Sequence, residues 1–117
     1  MKKYISPILL SFLLFSCEAI FVEDISQEKV VLIAPSDNSE VATGNIQFNW
    51  QGIVDATDYQ IQIATPNFNQ ASQVVLDSTV TATFFLKELG IGDYEWRIKA
   101  SNSDYSTPYI TNSFIVN

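Results

Sequence analysis

The sequence has 117 residues, a net charge of −7, no histidine and one cysteine, Cys17. That length holds one domain at most. The missing residues exclude Ser/His/Asp and Cys/His nucleophile systems, histidine-bearing zinc sites and an internal disulfide framework, and the acidic balance opposes nucleic-acid binding.

Residues 1–16 have the layout of a signal peptide: Lys2 and Lys3, an apolar run from Ile8 to Phe15, then Ser16. The run is shorter than the roughly 20 residues that span a bilayer as a helix. Leu14, Phe15, Ser16 and Cys17 resemble the lipobox of bacterial lipoproteins, in which the cysteine thiol receives a diacylglyceryl group and the cysteine becomes the new amino terminus. Phe15 departs from the usual small or aliphatic residue, and relaxed lipoboxes are common in the Bacteroidetes group. The resemblance implies lipidation at Cys17, with the membrane as a partner and the bacterial cell envelope as the location. Loss of Lys2 and Lys3 with the leader takes the charge from −7 to −9. Residues 17–29 then read as the lipidated cysteine and an acidic tether with Glu18, Glu23, Asp24 and Glu28. Acidic residues at this place resemble the surface-export signals of Bacteroidetes lipoproteins, which implies outer-membrane anchoring and display at the cell surface. A solvated charged linker accounts for the same residues.

The folded domain is expected over residues 30–117, as short strands separated by turn signals. Residues 30–34 form an edge strand that Pro35 stops, because proline cannot donate to a ladder. Residues 45–51 alternate Ile46, Phe48 and Trp50 with Gln47 and Asn49, and residues 59–64 alternate Tyr59, Ile61 and Ile63 with Gln60 and Gln62. Residues 74–77 and 83–86 are two shorter strands, the second expected to place Phe84 and Leu86 inward and Phe85 outward. Leu89 fills the corner before Gly90 and Gly92. Residues 92–102 show the strongest signal, Tyr94, Trp96, Ile98 and Ala100 against Asp93, Glu95, Arg97 and Lys99. After a polar loop, residues 110–116 form the last strand, with Phe114 and Val116 inward.

Seven such strands without a helical stretch predict an all-β fold, a seven-stranded antiparallel two-sheet sandwich. Residues 30–117 resemble a fibronectin type III domain, with its immunoglobulin-like architecture, of the sort found in Bacteroidetes lipoproteins. Pro35, Trp50, Tyr59, Leu89 and the run Gly92, Tyr94, Trp96, Arg97, Ala100 carry the resemblance. It implies that Trp50 is the central core residue and that the Tyr94 hydroxyl caps a nearby backbone group in a tyrosine corner. Trp50, Tyr59, Leu89, Tyr94 and Trp96 are thus the expected core hallmarks.

Candidate chemistry is sparse. The carboxylate pairs Asp55 with Asp58, Asp93 with Glu95, and Glu23 with Asp24 are the candidates to weigh for glycoside chemistry. Asp93 and Glu95 read as a solvated sheet face that lends no burial to shift a pKa, and the Asp55 pair as turn residues. Asp37 with Asn38 and Asn102 with Asp104 lack the spacing of a calcium loop. No enzyme, metal or cofactor is expected. Aromatics not placed inward, Phe68, Phe85, Tyr105 and Tyr109, are the candidate ligand-binding residues, since such rings stack on sugars or protein partners. The expected role is a non-catalytic binding or adhesion module for a glycan or a protein. An accessory envelope lipoprotein that lends a sheet edge to a larger assembly is the alternative.

Overall fold

The computed structural model describes residues 21–117. The leader and Cys17 lie outside the described residues. The chain forms β1 (Leu32–Ala34), β2 (Ser39–Val41), β3 (Gly44–Trp50), β4 (Asp58–Thr65), β5 (Gln73–Val80), β6 (Phe84–Leu89), β7 (Gly92–Ser101) and β8 (Ile110–Val116). They divide between a three-stranded sheet, in the order β1-β3-β6, and a five-stranded sheet, in the order β2-β8-β7-β4-β5. This is the two-sheet sandwich that the alternation predicts.

The inner faces are those of the sequence pattern. Ile46, Phe48 and Trp50 of β3 meet Tyr59, Ile61 and Ile63 of β4, Tyr94, Trp96, Ile98 and Ala100 of β7, and Phe114 and Val116 of β8, all buried. Trp96 is at the centre. Phe48 meets it edge to face at 5.1 Å and Trp50 lies 6.3 Å away, while its indole N–H donates to the Pro35 carbonyl at 3.0 Å. Trp50 packs edge to face on Tyr59 at 5.8 Å, and its own indole N–H is buried without a partner among the described residues. The Tyr94 hydroxyl donates to the Gly90 carbonyl at 2.9 Å, which is the tyrosine corner, and its ring stacks on Phe114 at 5.5 Å.

Three features depart from the sequence reading. The first is an eighth strand. β2 pairs parallel with β8, Ser39 opposite Phe114, in the stretch between residues 34 and 45 where no strand is expected. Three residues with Glu40 in the middle show too little alternation to be read as a strand. Gly44, at φ 123°, then returns the chain to the other sheet in a conformation that favours glycine.

The second is the phase of β6. Phe84 and Leu86, expected inward, are 51% and 54% exposed, and Phe85, expected outward, packs against the core. Two adjacent phenylalanines leave either phase possible. Leu89 decides it, because it closes β6 opposite Gly44 as a buried residue and puts every second residue back to Phe85 on its own face. Lys87, half-buried on that inward face of an edge strand, opposes pairing by another chain.

The third is the start of the domain. Residues 23–29, expected in the tether, are joined to the sandwich. Ile25 is 2% exposed and belongs to the core with Val30, and the Glu23 carbonyl accepts a hydrogen bond from the Asn102 side-chain amide at 2.9 Å. A turn, Glu28 N–H to the Ile25 carbonyl at 2.9 Å, sets Ile25 inward within an otherwise exposed acidic run. Nearby, the two hydrogen bonds that Asp24 accepts from Ser26 hold its carboxyl below the usual aspartate range.

Candidate functional site

The outer face of the five-stranded sheet is built on the charged side of β7. Register places Arg97 opposite Gln62 of β4 and Thr111 of β8, and Glu95 opposite Ala64 and Ser113. Gln62 in turn lies opposite Asp77 of β5, and Gln60 opposite Thr79. Gln60 ties these edge residues to the sheet, its amide donating to Asp77 and its carbonyl oxygen accepting from the Thr79 hydroxyl at 2.8 Å.

The face is not a flat solvated surface. After β4 ends, Pro66 turns the chain out and residues 66–72 fold back over β7. The backbone N–H of Phe68 donates to Glu95 Oε1 at 3.0 Å, and the Asn67 side chain closes the loop by accepting from the Gln70 N–H at 2.7 Å. Ala64, opposite Glu95 and turned to this outer face by alternation, is fully buried.

Two of the candidate aromatics converge here. The Arg97 guanidinium carbon lies 4.0 Å from the centre of the Phe68 ring and 4.4 Å from that of Tyr109, and Arg97 Nε donates to Gln62 Oε1 at 2.8 Å. Lys99 Nζ lies 5.2 Å from the Tyr109 ring. Rings that approach a cation at this distance each contribute about 0.5–1 kcal/mol at an exposed site. Partial burial raises the Tyr109 hydroxyl pKa above the usual tyrosine value, against the smaller opposing pull of Arg97.

An open cleft of about 600 Å³ lies beside the cluster, lined by Asn67, Asn69, Gln70, Glu95, Arg97 and Thr111 together with Phe68. It supplies donors, acceptors and one aromatic ring without an apolar chamber. Two other clefts, of about 410 and 440 Å³, lie at the end of the sandwich where residues 21–31 meet residues 51–58. Those two gather Glu23, Asp24, Glu28 and Asp55 and hold no aromatic clamp.

The remaining candidates lie apart from the cluster. Tyr105, 38% exposed, sits in the β7–β8 loop, where the Asn102 side chain accepts from the N–H groups of Asp104 and Tyr105 and donates to the carbonyls of Glu23 and Asp55. Phe85 faces the core and leaves the candidate surface. The oxygen atoms weighed for calcium serve as connectors, Asp37 Oδ1 accepting from the Ser113 N–H at 2.8 Å. Among the described residues no group of three or more acidic or cysteine side chains could hold a metal ion.

Arg97 and the loop residues Asn67, Asn69 and Gln70 are the members that the sequence reading missed. Their signal was a polar run with one aromatic directly after a strand-breaking proline. Nothing local in that run says that it folds over β7.

No family model matches the sequence, and no curated protein matches it. Solved structures do. The fibronectin(III)-like modules of Clostridium thermocellum CbhA superpose with a TM-score of 0.55 at 14% identity, over 76% of this chain and 96% of that one. The fn3 domain of human collagen alpha-1(XX) chain gives 0.56 at 14% identity, over 74% and 80%. CopC from Methylosinus trichosporium OB3b gives 0.51 at 18% identity, over 76% and 94%. The chain therefore has a fibronectin type III-like fold.

Proposed function

We infer that this chain is a lipid-anchored protein of a bacterial cell envelope, and that its fibronectin type III-like sandwich is a non-catalytic binding or adhesion module for a glycan or a protein. The observation that carries the binding role is the cluster of Phe68 and Tyr109 on Arg97, beside a polar cleft. Half-buried aromatic rings stacked on a fixed guanidinium at the outside of a sheet suit recognition. Anchoring rests on the sequence alone, on a lone cysteine where a short apolar run stops. It gives the module an outer-membrane attachment, with a face toward the surface or the periplasm.

A second reading is favoured by one observation. β5 is an eight-residue edge with pairing on one side only and a single charge, Asp77. An accessory lipoprotein could lend that edge to an assembly.

Cells expressing the chain separate these roles. Labelled palmitate should enter the parent and not Cys17→Ser, and protease shaving of intact cells should release peptides from residues 30–117. Absence of label rejects the anchor. Protection until lysis, with envelope proteins crosslinked through β5, favours the accessory role.

A further inference from the structure

We propose that the cleft between residues 66–72 and β7 binds an acidic saccharide, with a sugar carboxylate on the Arg97 guanidinium and ring hydroxyls on Glu95 and the loop amides. The proposal rests on the binding-module reading and deepens it to a ligand class.

The argument begins with Arg97. Its guanidinium is held by two rings and by the Nε bond to Gln62, and no described residue accepts from its two terminal nitrogens. A guanidinium fixed in this way has already lost the freedom that binding would otherwise cost it. What it still presents is the edge whose geometry matches a carboxylate through two parallel hydrogen bonds.

Charge around the clamp then narrows the ligand. Of the four cations in residues 21–117, two, Arg97 and Lys99, stand on this one face, while Asp93 and Glu95 precede them on the same strand. A densely anionic chain would meet those two carboxylates. A ligand carrying one carboxylate among many hydroxyl groups meets the cation at one end and acceptors at the other. The lining agrees: Asn67, Asn69, Gln70 and Thr111 offer amides and a hydroxyl. Glu95 gives one oxygen to the Phe68 N–H, and its second oxygen has no protein donor among the described residues. The cleft volume falls within the roughly 300–1,000 Å³ of small-ligand sites.

An acidic peptide fits less well. The β7 backbone is paired along both sides, to β4 and to β8, so no strand can add there. Among the described residues that line the cleft, Phe68 is the one apolar side chain, which leaves no apolar pocket there for an anchoring side chain.

The test uses the full chain, purified in detergent, on an array of oligosaccharides containing glucuronic, galacturonic or sialic acid, each beside its carboxyl-reduced counterpart, and on an array of acidic peptides. The proposal expects retention by at least one acid-bearing sugar, at least tenfold weaker binding to the reduced form, a loss of tenfold or more in Arg97→Gln, and no change in Tyr105→Ala. Arg97→Lys keeps the charge and loses the fork, so a similar loss there supports the same geometry even if Arg97→Gln fails to fold. Equal binding of acidic and reduced sugars would overturn the ligand class and leave the module standing. Binding that survives both Arg97 variants would overturn the site. Retention by peptides alone would overturn the saccharide, and silence on both arrays would overturn the acidic-saccharide site while leaving the module reading to other glycans or proteins.

Discussion

The two outer faces of this sandwich are made by the same alternation and end up unlike each other. On the five-stranded sheet, Glu95, Arg97, Gln62, Gln60 and Asp77 hold one another and the loop of Phe68 in place. On the three-stranded sheet, Ile33, Phe84 and Leu86 stand about half exposed beside Asn45, Gln47 and Asn49, and among the described residues no loop is bonded over them. Apolar residues there are the bland case, since much of any protein surface is apolar. The difference teaches that an organised surface is marked by side chains that fix each other, and that exposure by itself marks nothing.

The largest expected effect comes from the floor beneath the organised face. Trp96 lies under Glu95 and Arg97, and Trp96→Ala should cost about 3–5 kcal/mol by leaving a cavity, enough to unfold a marginal domain. A denaturant midpoint equal to the parent's would show that the organised face does not rest on the core. Next is Thr107, buried in the loop that leads to Tyr109. Its hydroxyl accepts from the Ala100 N–H at 2.9 Å and donates to the Pro108 carbonyl at 3.1 Å. Thr107→Val leaves that N–H unpaired and should cost about 1–3 kcal/mol in equilibrium unfolding.

The comparison itself is sharpened by a pair of truncations. Phe68→Ala should cost about 1 kcal/mol through its cation–π contact, whereas Leu86→Ala on the other face should stay within about 0.5 kcal/mol. Equal costs would erase the distinction between the faces. The smallest effect is a titration. Tyr109 holds its proton more tightly when folded, chiefly through burial. The native state therefore binds the proton where the unfolded chain has lost it, and stability falls as pH rises above about 10. Melting temperatures at about pH 9 and about pH 11 should drop slightly more for the parent than for Tyr109→Phe.

Most of the sandwich was legible because burial follows a period of two. Phe48, Trp50, Ile61, Trp96, Ile98 and Phe114 are inward as the pattern requires. It failed where the pattern carries no phase, at Phe84-Phe85, and where one apolar residue hides in a charged run, at Ile25. The site was half legible. Phe68 and Tyr109 could be picked out as outward rings, but their meeting on Arg97 depends on β4 and β8 flanking β7, and on a loop whose landing place only the topology sets.

The docking of Ile25 has a consequence for posture. On a chain anchored at Cys17, five residues, 18–22, separate the anchor from the docked Glu23, and at about 3.3–3.6 Å per residue they span at most roughly 20 Å. The end that holds residues 51–57 and Tyr105 would then lie nearest the bilayer. β4 runs away from that end, from Asp58 to Thr65, so residues 66–72 lie at the opposite pole. On such an anchored chain the loop that bounds the Arg97 cleft would stand a strand's length further from the lipid than the end that docks Ile25.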